Sequence, residues 1–153
     1  MPRTKSQRGT VFISHSSRDR DFVVRLARLL KDHKVDYWFS VHIAGAKQWH
    51  DDIGRALRRC DWFLIVLTPN AVRSKWVKHE LLFARREDRY KEKIIPLLYK
   101  ACKYERLSWT LPELQLVEFR GSFDLGCRQL LCIWKMNYKP AKHKTARTAM
   151  KTR

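Results

Sequence analysis

"DWFLIVLTPN", Asp61 to Asn70, contains the most apolar run of the chain, and its reading decides the fold. Trp62 to Leu67 is far too short to cross a bilayer. The run is also continuous rather than alternating, so it predicts a strand buried on both faces. Pro69-Asn70 breaks it, and a helical pattern starts at Ser74. A fully buried strand that passes into a helix is the building unit of a parallel sheet covered on both sides.

The same unit recurs outward from that strand. Upstream, "TVFIS" (Thr10 to Ser14) reads as a buried strand, and Phe22, Leu26, Leu29 and Leu30 then share one helical face. "VDYWF" (Val35 to Phe39) is a second strand. It is followed by the loop "SVHIAGAKQ" and by a helix from Trp49 to Arg59 with Trp49, Ile53 and Leu57 aligned. Downstream, "KIIPLLY" (Lys93 to Tyr99) is a fourth strand whose proline suggests an irregular position or one near an edge. "QLVEFR" is a short fifth strand, and Phe123, Cys127, Leu130, Leu131 and Trp134 form the closing helix. About five alternations of strand and helix predict an α/β, flavodoxin-like fold: a five-stranded parallel sheet of order 2-1-3-4-5 with helices on both faces. The ligand crevice of such a sheet lies at the carboxyl ends of strands one and three, where the order reverses. The loops "SHSSRDRD" and "TPNAVRSKW" reach it, and the loop after the second strand leaves the same edge.

The chain has 153 residues, 44% of them hydrophobic, enough for one domain with a real core. Its formal charge of +18 is unevenly spread. A tail of residues 1–9 holds Arg3, Lys5 and Arg8. A second, 136–153, holds Lys139, Lys142, Lys144, Arg147, Lys151 and Arg153; neither tail has an acid. These tails, poor in apolar residues, are expected to be disordered around a folded body of 10–135. They are candidates for contact with nucleic acid or an acidic membrane surface, although solubility explains them equally well. Cys60, Cys102, Cys127 and Cys132 form no CxxC pair, and no His stands at zinc-finger spacing. Reduced thiols in a cytoplasmic protein without a metal are the expectation.

The motifs that are missing narrow the chemistry. The sequence contains no GxGxxG, no P-loop, no GxSxG elbow and no HExxH. A phosphorylation receiver, which shares the predicted fold, needs acids after its first and third strands, and here those strands end in "ISHSS" and "VLTPN". Attention falls instead on "SKWVKHELLFA", Ser74 to Ala84. Glu80 has Trp76, Val77, Phe83 and Ala84 as its neighbours three and four residues away, so it lacks a basic partner on its own helix. Most helix glutamates are solvated. This one has apolar neighbours, and a carboxylate at a crevice beside an aromatic ring is a common catalytic arrangement. His79 points about 100° away from Glu80 around the helix.

From Thr10 to Trp134 the chain resembles a TIR (Toll/interleukin-1 receptor) domain of the bacterial, NAD-cleaving branch. The resemblance is carried by "VFISHSSRDRDFVVRLARLL", "DDIGRALRRCDWFLIVLTPNAVRSKWVKHEL" and "KIIPLLY". It implies a flavodoxin-like fold, Glu80 as the catalytic residue, and Trp76 one turn before it as a wall of the crevice. It also implies dinucleotide contact by Trp49, and ribose or phosphate contact by Ser14, His15 and Ser16. Some NAD-cleaving members carry basic residues where this chain has Ser16 and Ser17; Arg18 is the candidate to supply that phosphate contact. The loop "SVHIAGAKQW" lacks the RDxxPG pattern that animal receptor and adaptor TIR domains use for docking. The implied activity is an NAD+ nucleosidase, hydrolase or cyclase, with NAD+ as substrate and no cofactor. It would work through homotypic TIR–TIR assembly, with a partner or sensor protein as trigger, in bacterial anti-phage immunity or as an effector. The alternative is a non-enzymatic TIR–TIR interaction module.

Overall fold

The structure, a computed structural model, describes residues 9–40 and 48–140, the side chains of 48–50 excepted. Residues 1–8, 41–47 and 141–153 lie outside the described residues, and with them most of both basic tails and of the loop after the second strand. The strands are β1 (Thr10–Ser14), β2 (Asp36–Trp38), β3 (Trp62–Leu67), β4 (Ile94–Leu98) and β5 (Val117–Glu118). They form one sheet in the order β2-β1-β3-β4-β5, and every neighbouring pair is parallel. The helices are α1 (Arg20–Asp32), α2 (Gln48–Arg59), the short α3 (Pro69–Val72), α4 (Lys75–Arg86) and α5 (Phe123–Ile133). Among the described residues no helix is long and apolar enough to cross a membrane.

Strand alternation divides the core in two. Val11, Ile13, Leu64, Val66, Ile95 and Leu97 turn toward α1 and α5, where they meet Phe22, Leu26, Leu30, Leu130 and Leu131. Phe12, Phe63, Ile65 and Leu67 turn to the opposite face and meet Ile53 and Leu57 of α2 and Val77, Leu81 and Ala84 of α4. β3 contributes to both clusters, which is why its sequence shows no polar alternation. The sheet begins on a tight link. Thr10 N–H donates to Asp61 Oδ2 at 2.9 Å, Asp61 N–H donates back to Thr10 O, and Gly9 adopts φ +83° against the Asp61 side chain.

The proline expected near an edge lies in a strand that is interior by order. Lys93 aims its carbonyl at Phe63 of β3, so by alternation Pro96 turns its nitrogen toward the β5 side. β5 pairs only with Leu97 and Leu98, so no acceptor is waiting for the missing N–H. The fifth strand is therefore shorter than "QLVEFR" suggests.

Helix starts carry side-chain caps: Thr68, Ser74 and Ser122 accept from the N–H groups of Ala71, Val77 and Leu125. The ends of α1 and α5 repeat one another. Lys34 N–H donates to Lys31 O and Val35 N–H to Leu30 O; Lys135 N–H donates to Cys132 O and Met136 N–H to Leu131 O. Both ends are Schellman caps, and the residue that turns left-handed is a lysine each time, Lys34 at φ 59° and Lys135 at φ 57°. Glycine is usual there, and a side chain with a Cβ costs about 1 kcal/mol more. Past the expected boundary at residue 135, the chain remains on the body. Tyr138 Oη donates to Asp124 at 2.7 Å, and Lys139 N–H donates to His33 Nε2 at 2.9 Å.

Candidate active site

The carboxyl edge of the sheet gathers the ends of β1 and β3. Phe12 belongs to the α4-side core, so Ser14, two residues on, faces α4 as well. On α4, the buried stripe is Val77, Glu80, Leu81 and Ala84, which puts Glu80 at a core position. The last polar residue of β1 therefore meets the one acid on the buried stripe. Ser14 Oγ donates to Glu80 Oε1 at 2.7 Å, and both residues are buried, at 1% and 4% exposure. Removing a carboxylate from water penalises its charged form. Burial pushes the Glu80 carboxyl from 4.5 up to about 7, and the Ser14 hydrogen bond offsets only part of that rise.

A second link joins the two loops. Asp19, buried at 4% exposure, accepts from the hydroxyl of Thr68 and, at 3.4 Å, from Asn70 Nδ2. Asn70 Oδ1 in turn accepts from Arg73 Nη2 at 3.0 Å. Beside this chain lies a cavity of about 340 Å³ lined by Ser16, Arg18, Asn70, Arg73 and Ser74. Its lining includes two arginines and Ser74, the N-cap of α4, a composition suited to an anion. Ser74 precedes Glu80 by six positions, which is about 9 Å along the helix axis.

Of the residues anticipated from sequence, the structure brings Ser14 to Glu80 and places Ser16 and Arg18 together in the cavity. Ser16 also caps the turn after β1 by accepting from Arg18 N–H. His15 goes elsewhere: alternation turns it to the other face of the sheet, where its ring meets the ring of Phe39 edge-on at 5.8 Å. Trp76 is half-buried, with its ring edge-on to that of the exposed His79. The side chain of Trp49 lies outside the described residues, although its backbone opens α2 as expected. Asp19 and Arg73 were not singled out from the sequence. Both stand in the two loops already recognised, and the only available signal was that these loops converge. Among the described residues, no group of three His, Cys, Asp or Glu is placed to hold a metal.

The family follows from comparison of the sequence. The sequence model of the TIR domain matches residues 11–131. This chain belongs to the TIR family. A curated relative of the TIR domain described here, the 2′ cyclic ADP-D-ribose synthase BtTIR of Bacteroides thetaiotaomicron, is 30% identical over 105 residues. That alignment takes in 65% of this chain and 36% of the relative, so the chain spans about a third of the relative's length. Among solved structures, the TIR domain of the Toll-related receptor TRR-2 from Hydra magnipapillata is similar, with a TM-score of 0.65 and 17% identity. It covers 82% of this chain and 98% of that one. The TIR domains of the activated Roq1 resistosome recognizing the effector XopQ give a TM-score of 0.64 at 15% identity, over 82% of this chain and 99% of theirs. These two structures establish the shared fold.

Proposed function

We propose that this TIR domain cleaves the bond between nicotinamide and ribose in NAD+, with Glu80 as the catalytic residue. The observation that carries the reading is the buried Ser14–Glu80 pair at the sheet's carboxyl edge, on the helix whose N-cap, Ser74, lines a cavity with two arginines. Nicotinamide in NAD+ is a cationic leaving group. When the C1′–N bond breaks, its electron pair goes to the ring nitrogen and neutralises it, so departure needs no general acid. The ribose left behind has oxocarbenium character, and a carboxylate fixed against it stabilises that charge. Ser14 holds one carboxylate oxygen in place. Arg18 and Arg73 are the residues of choice for the phosphates of the same dinucleotide, about one nucleotide's length from Glu80. Trp76 and Trp49 are proposed to flank the bound base.

Capture of the ribosyl cation completes the reaction. Water gives ADP-ribose, and a hydroxyl of the substrate itself gives a cyclic isomer; either nucleophile loses one proton. The name of the Bacteroides relative favours the second course. In line with the resemblance, a neighbouring copy is proposed to complete the site on self-association.

Incubation of the purified protein with NAD+, with nicotinamide and the ribosyl product identified by chromatography, tests the reading. The expected result is nicotinamide release that Glu80→Gln lowers by roughly a hundredfold or more. Release unaffected by that substitution would remove Glu80 from the site while sparing the activity. No release even at high protein concentration or with crowding agents would leave a non-enzymatic interaction module.

A further inference from the structure

The edge of the sheet opposite the candidate active site carries a second charged feature. Helices antiparallel to the strands end there, so the two lysine-bearing Schellman caps of α1 and α5 lie side by side. Lys34, Lys135 and Lys139 line one cavity of about 390 Å³ together with Asp32, His33, Met136 and Asn137. None of the three lysines is in an ion pair among the described residues. His33 holds the arrangement in place. Its Nε2 accepts from Lys139 N–H, so its Nδ1 carries the hydrogen and donates to Leu29 O at 2.8 Å. The ring thus fixes Lys139 beside the cap of α1.

A cation near a helix C-terminus has an ordinary explanation in the helix dipole. That explanation covers Lys31, in the last turn of α1. It does not require a lysine at the one cap position where glycine is better, twice, on adjacent helices that share a cavity. Backbone strain kept where a simple substitution would relieve it points to a use for the side chain. The two terminal stretches outside the described residues join at Gly9, before β1, and at Pro140, after Lys139, both on this edge. Those stretches hold Arg3, Lys5 and Arg8, and Lys142, Lys144, Arg147, Lys151 and Arg153, with no acid.

We infer that this edge, centred on Lys34, Lys135 and Lys139, is a binding surface for the phosphodiester backbone of nucleic acid. A concave site in which three lysines outnumber the one carboxylate, Asp32, accepts a backbone phosphate. A bilayer fits less well. Val24, Leu82, Trp109 and Leu125, the exposed large apolar side chains among the described residues, are absent from the lining, and the flanking stretches have no aromatic residue to insert. The surface is independent of NAD+ cleavage and stands or falls without it.

The test is fluorescence anisotropy of a labelled mixed-sequence DNA duplex of about 20 base pairs, titrated with the full chain at several salt concentrations. The key variant is the double substitution Lys34→Gly, Lys135→Gly, which removes two charges and relieves both left-handed caps, so it folds at least as well as the parent. The parent is expected to bind without sequence preference, and the variant to bind roughly tenfold more weakly, with the salt slope reduced by about 2. Equal affinity and slope for parent and variant would overturn the cavity's role. So would binding to phosphatidylserine vesicles in the absence of any binding to the duplex.

Discussion

At the scale of single residues, the charge state of Glu80 links stability to activity. Its folded-state value of about 7 lies above the unfolded value of 4.5. Between those limits the folded chain holds a proton that the unfolded chain has released, so protonation favours the fold. The penalty for burying this group is absent below about pH 4.5, grows through the interval, and is complete above 7, with an upper bound of about 3 kcal/mol. Glu80→Gln is therefore predicted to raise stability by roughly 1–2 kcal/mol at pH 8 and by almost nothing at pH 4, read by urea denaturation. A gain independent of pH would contradict the burial argument. Catalysis runs the opposite way, because stabilising a ribosyl cation needs the carboxylate. The acid limb of kcat/KM for NAD+ is predicted near pH 7. Ser14→Ala, which removes the bond that favours the charged form, should move that limb to higher pH; a limb that stays put would detach Ser14 from Glu80. The position of Glu80 on the buried stripe was legible in the sequence, because three- and four-residue spacing reports a helix face. Its pairing with Ser14, 66 residues away, was not, since only the register of β1 against α4 creates it. Arg73 escaped notice for a related reason. An exposed loop cation in a chain with 33 lysines and arginines is unremarkable until the fold brings it to the same cavity as Arg18.

At the scale of elements, the long apolar runs were the legible part. β1 and β3 are bounded as their sequences suggest because both faces of each strand are buried. β2 and β5 are shorter than their apolar runs, being the outermost strands, each with a single neighbour to pair with. The ends of α1 and α5 carried no sequence signal, because the usual marker is glycine and the residue present is lysine. Each single substitution, Lys34→Gly or Lys135→Gly, is predicted to raise stability by about 0.5–1 kcal/mol, the two being nearly additive. Thermal denaturation measures this directly, and a loss of stability in either variant would mean that the lysine stem contributes more than its backbone conformation costs. Gly126 of α5 is the opposite case. A Cβ there would lie 2.4 Å from the ring of Phe119, itself buried in the core, so Gly126→Ala should destabilise by roughly 2 kcal/mol.

At the scale of the whole molecule, the charge of +18 opposes any assembly of like copies. If a neighbour completes the site, as proposed, activity per molecule must rise with protein concentration, and the repulsion to be overcome is electrostatic. Salt screens charges over about 10 Å at 0.1 M and three times that distance at 0.01 M. Specific activity at a fixed, low protein concentration and saturating NAD+ is therefore predicted to increase between about 0.01 and 0.15 M salt. Saturation matters, because salt also weakens the attraction of Arg18 and Arg73 for the dinucleotide phosphates and would otherwise lower the rate. A short DNA duplex bound at the amino-terminal edge should act like salt, since it neutralises charge at the sheet edge opposite Glu80. Two outcomes separate the contributions. A rise with salt that Lys34→Gly, Lys135→Gly makes smaller would assign much of the repulsion to that edge. Activity per molecule that stays flat across a hundredfold range of protein concentration and across the same salt range would show that a single copy holds a complete site.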